Sequence, residues 1–350
     1  MSVKVATEVG PSITVVIPMY NAEKLIERCL APLLSMLARS EVAQIIVVND
    51  GSTDQSAQLV QRHAAVKLIA MDAQGGPGAA RNLGAHLATG THLWFVDSDV
   101  IVADDGARVL REALTRTGAA AVIGSYDDNP AAQNFLSQYK NLVHHYYHHR
   151  GKEGASTFWA GCGAVERELF LKIGGFDGKQ YRYPSIEDID LGYRIGDSGG
   201  RIVLERRFQG THLKEWRFVN LVHTEVFRRA LPWSRLMLRR KDITDDLNIG
   251  KAERVRAAVA LTTMAAIPAW AIGLLDGWLP AVLIAVLLAA NGSFIAFFAR
   301  TRGPLFALRA FLFHQLYYAY SSAAFAAAMA EHYLKRLPPK SGRETKHPAG

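Results

Sequence analysis

Asp97 and Asp99 stand one serine apart, directly after the apolar run Leu93–Val96. Two carboxylates at i and i+2 repel unless a cation lies near, and oxygen ligands completed by water and phosphate suit Mg2+ or Mn2+. A solvated turn with a helix-capping aspartate would show the same pattern. Glu187, Asp188 and Asp190 open a helix-period stretch in SIEDIDLGYR (185–194). Capping accounts for one or two of them. A carboxylate at a helix start inside a cleft is also placed to act as general base toward a hydroxyl. His212, in THLKEW (211–216), offers an imidazole suited to completing a metal shell. The Gly-rich stretch Gln74–Asn82 enters a helix, so its backbone N–H groups and Arg81 can receive a diphosphate. It lacks the Gly-Lys-Ser/Thr ending of a P-loop and is not G-x-G-x-x-G.

Such residues need elements to hold them. Up to about residue 215, apolar β-branched runs (Ile13–Ile17, Ile45–Val48, Val66–Ile69, Leu93–Val96, Ala119–Ile123) alternate with helix-length stretches such as Ala22–Arg39 and Asp104–Thr117. Continuous apolar runs read as buried parallel strands, and the alternation predicts right-handed βαβ units, hence an α/β domain. The carboxyl edge of such a sheet hosts ligands. There the first run ends in PMYN (18–21), the second in NDGSTD (49–54) and the fourth in DSD (97–99).

The composition changes at Ala257. Ala257–Leu275 carries no charge over 19 residues and Leu279–Ala299 none over 21, matching the roughly 20 residues that cross a bilayer. A third stretch, Phe311–Leu334, is interrupted by His314, Gln315 and several tyrosines, and either spans or lies at the interface. Lys251, Arg254 and Arg256 precede the first span, and Arg300, Arg302 and Arg309 follow the second. By the positive-inside rule the α/β domain and the 300–310 loop are expected on the cytoplasmic side of a plasma or inner membrane. The division is therefore 1–215 catalytic, 216–256 juxtamembrane, 257–334 transmembrane and 335–350 a basic tail.

The chain of 350 residues has 40 Lys+Arg against 32 Asp+Glu, net +8, which calls for an anionic partner. Arg228–Lys241 holds six basic residues and no acid, interleaved with Leu231, Trp233, Leu236 and Leu238. It reads as an amphipathic helix on anionic membrane lipids rather than a nucleic-acid surface. Cys29 and Cys162 cannot make a zinc cage, and a reduced cytosolic face is expected. The first 20 residues lack a basic segment followed by an apolar core, so no signal peptide is expected. His144, His145, His148 and His149 make i,i+4 pairs, but Tyr146 and Tyr147 beside them suit a helix facing headgroups better than a metal site.

Seven segments in order resemble glycosyltransferase family 2, with its GT-A fold: VVIPMYNAEKLI (15–26), VVNDGSTD (47–54), GPGAARNLGAHLATG (76–90), WFVDSDV (94–100), FWAGCGAV (158–165), GGFD (174–177) and SIEDIDLGYR (185–194). The resemblance implies a mixed Rossmann-like sheet, a nucleotide-diphosphosugar donor (commonly a UDP-sugar) and inversion at the anomeric carbon. It also implies that Pro18, Tyr20 and Glu23 line the nucleoside pocket and that Asp50 takes the base. Arg81 would lie near the base or diphosphate. Asp97 would contact ribose or metal, and Asp99 and His212 the metal. Asp188 would be the catalytic base, with Glu187 beside it orienting the acceptor. Processive relatives carry Gln/Arg-x-x-Arg-Trp after the Glu-Asp pair; Arg228–Trp233 does not match, so a single transfer is expected. The acceptor is read as a hydroxyl of a lipid or lipid-linked molecule, with polyprenyl phosphate as the alternative. A non-catalytic membrane subunit and a nucleotidyltransferase are the competing classes. The intact carboxylates disfavour the first, and the second would need a pyrophosphate-handling Gly/Lys/Arg loop.

Overall fold

The computed structural model describes residues 10–241 and 250–335. Its first half runs β1 (Ile13–Met19), α1 (Ile26–Ala38), β2 (Gln44–Asn49), α2 (Ser56–Gln61), β3 (Lys67–Ala70), α3 (Pro77–Leu87), β4 (His92–Val96) and β5 (Val100–Val102). There follow α4 (Gly106–Thr117), β6 (Ala121–Tyr126), α5 (Phe135–Arg150), β7 (Gly154–Ala155), β8 (Cys162–Glu166), α6 (Arg167–Lys172), α7 (Glu187–Asp197) and β9 (Ile202–His212). The rest is helical: α8 (Phe218–His223), a π-helical stretch Thr224–Ala230, α9 (Leu231–Arg240), α10 (Lys251–Ala271), α11 (Trp278–Ala290), α12 (Gly292–Arg302) and α13 (Pro304–Leu334).

The sheet order is β3-β2-β1-β4-β8-β6-β9-β5, with β7 on β9. β3, β2, β1 and β4 are parallel, as their unbroken apolar runs require. β8 enters antiparallel between β4 and β6, so the sheet is mixed. Period-2 alternation sends Val15 and Ile17 into a core with α1 and α4, and Val16 into a second core with α3, α6 and α7. The chain reverses direction around β1 and β4, which leaves a crevice at their carboxyl ends.

One glycine fixes how α7 approaches this crevice. A Cβ on Gly192 would run into the backbone of Thr157 and Phe158, whose continuation supplies the amide of Ala160 to Asp188. Gly192→Ala should lower stability by about 1–3 kcal/mol through overpacking, and transfer should fall with it. A denaturant midpoint measured beside activity checks this; an unchanged midpoint would contradict the close approach.

The C-terminal helices depart from the expected spans. No single described helix is long and apolar enough to cross a membrane; α11 and α12 pass that test only together, bent by 60°. The break falls at Asn291, whose Nδ2 bonds the Leu287 carbonyl at 2.9 Å, so Leu279–Ala299 is two helices. The expected 300–310 loop is also mostly helix. Gly303, at φ 88°, turns the chain from α12 into α13, and Phe311–Leu334 is the later part of that 31-residue helix. Arg302 there bonds Gln138 Oε1 and the Asp128 carbonyl, tying the turn to the α/β domain. Of the basic tail only Lys335 lies among the described residues, and residues 1–9 and 242–249 also fall outside them.

Two amphipathic readings change as well. The apolar side of α9 is occupied: Leu236 and Trp233 pack with Tyr181, Ile186, Ile189 and Tyr193, and Trp233 Nε1 donates to Tyr193 at 3.0 Å. Arg228–Lys241 therefore clamps α7 with its apolar side, while Arg235, Arg239 and Lys241 stay exposed. Tyr146 and Tyr147 do not meet headgroups either. They are buried against α12 and α10, bonding Ser293 and Glu253, each at 2.8 Å.

Candidate active site

The carboxyl ends of β1, β2 and β4 place three loops side by side. Tyr20, half exposed, follows β1, and Pro18 is buried within it. Asn21 accepts from Thr53 N–H at 2.8 Å, and Asp54 accepts from the N–H of Glu23 at 3.0 Å, knitting the first two loops together. Asp50, almost fully buried, takes the amides of Gly75 and Gly76 at 2.7 and 2.9 Å. Both its oxygens are thus engaged in shaping the pocket from the Gly-rich loop. Gly76 sits at φ +84°, where a Cβ would strike the Arg182 carbonyl, so this loop needs glycine.

Arg81 is held between two carboxylates. It lies inside the protein, its side chain 5% exposed, with Nη2 on Asp97 at 2.5 Å and Nη1 on Glu187 at 3.3 Å. The tight entry of α3 at Gly76-Pro77 puts Arg81 one turn in, on the inner face, where Phe176 covers it at 5.3 Å. Both Nη groups of the guanidinium are engaged by carboxylates of this chain, which links the end of β4 to the start of α7. Glu187 is turned the same way: buried, it holds Arg81 and the Ser185 amide at 2.8 Å, so it fixes α7 and is not among the residues that line the cavity where α5, α7, α9, α10 and α13 meet.

Asp188 does face that cavity. Its carboxylate accepts the Ala160 amide at 3.3 Å and the Ile189 amide at 2.8 Å. Burial and the neighbouring Glu187 push its carboxyl up to about 6, against the pull of Arg229 and Arg81. A carboxylate poised there takes protons well near neutral pH.

His212 reaches Asp99 because β5 and β9 pair antiparallel with Val100 opposite His212. Nε2 lies 3.5 Å from Asp99 Oδ2, too long for a strong hydrogen bond and short enough for both atoms to ligate one ion. Burial alone would raise the Asp99 carboxyl, but His212 and Lys214 outweigh it and hold it low. Asp97 moves the other way, raised by burial against the pull of Arg81. Among the described residues, no three His, Cys, Asp or Glu side chains converge on one point. Asp99 and His212 fit a divalent ion whose remaining ligands are water and ligand oxygens, with Asp97 committed to Arg81.

Several residues beside the site were given no role there by the sequence. Tyr126 stacks on His212, ring centres 4.5 Å apart and 11° from parallel, and meets Trp159 edge-on at 4.8 Å. His144 lies against both Tyr126 and Trp159. Arg229, on the π-helical stretch, and Lys140, on α5, share Glu225 at 3.6 and 2.8 Å. Cys162 is buried in β8 opposite Val96, its thiol pushed up to about 12 by burial, and serves packing.

Helices cover both faces of the sheet, and carboxylates gather at its switch point, one held low near an imidazole and one raised and facing a cavity, which marks a candidate enzyme site. Residues 14–174 match the model of glycosyl transferase family 2. The chain is 27% identical over 196 residues to glycosyltransferase GlyA of Streptococcus pneumoniae, covering 55% of this chain and 27% of that one. It is 32% identical over 118 residues to glycosyltransferase GlyG of the same organism, covering 33% of this chain and 38% of that one. The matches thus span well under half of either relative. The mannosyltransferase PcManGT from Pyrobaculum calidifontis, solved with GDP-Man and Mn2+, shares the fold with TM-score 0.60 at 20% identity, over 91% of this chain and 88% of that one.

Proposed function

We propose that the protein is an inverting glycosyltransferase that moves one sugar from a nucleotide-diphosphosugar to a hydroxyl of a lipid or lipid-linked acceptor. The observation that carries it is Asp188: a carboxyl raised to about 6, between the sheet edge and a cavity walled by the C-terminal helices. Asp188 takes the acceptor proton as its oxygen attacks the anomeric carbon. The bond from that carbon to the diphosphate breaks, and the nucleoside diphosphate leaves with the electron pair. Asp99 and His212 would hold Mg2+ or Mn2+, which supplies charge neutralisation for the leaving diphosphate. Tyr20 and the loop ordered by Asp50 form the nucleoside side, with UDP- and GDP-sugars the donors to try.

Membrane attachment is part of this reading. On the α10–α11 hairpin Ile267, Trp270, Ile272, Leu274, Trp278, Val282 and Leu288 all stand exposed, a density of apolar surface that water does not favour. Insertion of this hairpin into the cytoplasmic leaflet of a plasma or inner membrane would cover it, with the α/β domain in the cytoplasm.

Full-length protein, Mn2+, labelled nucleotide sugars and lipid extract make the test. Label should enter the organic phase and stay there after mild acid, as a glycoside on a hydroxyl does. Acid-labile product would make a phosphate the acceptor, and label found only on water-soluble acceptors would end the lipid reading. Chelation with EDTA should lower transfer by about a hundredfold or more, restored by added Mn2+.

A further inference from the structure

Three of the four histidines that stand out in α5 converge on the last residues of β6. His148 donates from Nδ1 to the Gly124 carbonyl and His145 from Nδ1 to the Tyr126 carbonyl, each at 2.8 Å. The Tyr126 carbonyl also accepts from Ser125 Oγ at 2.8 Å, and the Tyr126 N–H reaches His144 Nδ1 at 3.5 Å. The strand is irregular at this point. Its parallel register with β9 jumps from Ile123–Leu204 to Ser125–Gln209, and Gly124 permits the jump, since a Cβ there would strike the Phe208 carbonyl. An irregularity of this kind beside a site re-aims a side chain. Tyr126 comes to lie opposite Gly210, and His212, two residues on, shares its face of the sheet.

The two rings stack, with centres 4.5 Å apart and planes 11° from parallel. Tyr126 also meets Trp159 edge-on at 4.8 Å and His144 at 4.5 Å, so its own ring is held. A ligating imidazole must keep its plane, because the lone pair lies in that plane, and the χ2 torsion of histidine is too broad to keep it unaided. The usual support is a hydrogen bond from the other ring nitrogen to a carbonyl or carboxylate. Among the described residues nothing bonds Nδ1 of His212, whose Nε2 lies 3.5 Å from Asp99. The face of Tyr126 supplies that support by contact.

We propose that Tyr126 is a positioning residue for the divalent ion: stacked on His212, it fixes the ring plane that turns Nε2 toward Asp99, and the histidines of α5 brace it there. The proposal rests on the reading of Asp99 and His212 as a metal pair and adds a tyrosine that acts through the imidazole.

The experiment is Mn2+ binding to the full chain in detergent, read from the loss of the free-ion EPR signal, with the ion alone and with UDP or GDP added. Tyr126→Leu and Tyr126→Met fill space without a ring and should weaken Mn2+ about tenfold, the lower end of the loss when a metal ligand is deprived of its support. Tyr126→Phe keeps the ring and should stay within about twofold of the unaltered protein. His145→Phe, which removes one bond to the Tyr126 carbonyl, should cost about threefold. His212→Ala should weaken Mn2+ at least as much as Tyr126→Leu, and combining the two should cost nothing further, since a residue acting only through the imidazole then has nothing to act on. Unfolding midpoints from the same samples show which variants are folded, and one folded ringless variant is enough. Loss in His212→Ala without loss in a folded ringless variant would overturn the proposal alone, as would a further loss in the double variant. A loss in Tyr126→Phe as large as in Tyr126→Leu would move the role to the hydroxyl and overturn the stack. No effect of His145→Phe would overturn the bracing by α5. Mn2+ affinity unchanged in His212→Ala, or no Mn2+ bound by the unaltered protein under any of the three conditions, would sink the metal pair and the proposal with it.

Discussion

Asp188→Asn should reduce sugar transfer to a hydroxyl acceptor by about 10²–10⁴-fold, the range lost when a positioned general base is removed. Asparagine keeps the size of the side chain and still accepts the Ala160 amide, seen at 3.3 Å, so nucleotide-sugar affinity should remain near that of the unaltered protein. The pH profile gives a second, independent readout. A base works only when deprotonated, and burial beside Glu187 lifts the Asp188 carboxyl to about 6. With a folded-state value raised that far, kcat/KM should be flat above pH 7 and fall tenfold per pH unit well below 6. The acid limb should vanish in the residual activity of Asp188→Asn. A phosphate acceptor, already ionised, needs no such base; a variant retaining most of its activity would reassign the acceptor to a phosphate and leave Asp188 a positioning role.

How much of this was legible beforehand depends on how local the cause is. β1, β2 and β4 were readable because a strand buried on both faces must be apolar at every position, as Val15, Val16 and Ile17 are. β9 was not: Glu205, Arg206 and Arg207 interrupt it, and its pairing with β5, which carries His212 to Asp99, is set by strands far apart in sequence. The acid at 188 was visible as a type of residue at a helix start, but its raised carboxyl depends on burial against the 157–160 segment and on Glu187 beside it. Composition misled at the second apolar stretch. A run of uncharged residues says nothing about continuity, and the Asn291-Gly292 pair ends one helix and begins another. The tyrosines of α5 misled for a related reason. Amphipathic character does not say what covers the apolar side, and here other helices of the same chain do. The Lys140–Glu225–Arg229 cluster could not be read at all, since its members mean nothing together until α5 and the π-helical stretch meet.

Arg81 is the residue whose loss should cost the fold most. Its partners Asp97 and Glu187 are 16 and 106 residues away, so no local pattern announces the arrangement. Arg81→Met keeps the unbranched stem of the side chain and removes the charge. Glu187, with 7% of its side chain exposed, would then be buried without a cation, and Asp97, with 34% exposed, would turn to the cleft. Breaking a buried pair from one side costs about 3–5 kcal/mol, and the openness of Asp97 puts the expectation at the lower end of that range. Transfer should drop as well, because Glu187 fixes the helix start that carries Asp188, and Asp97 neighbours the Asp99–His212 pair. A cycle with Glu187→Gln separates the two effects. If the buried glutamate is the main source of instability, Arg81→Met/Glu187→Gln should recover much of the lost stability while transfer stays low, since α7 is still no longer tied to the sheet edge. A denaturant midpoint unmoved by Arg81→Met alone would mean that water reaches this carboxylate freely, and the buried link between Asp97 and α7 would have to be given up.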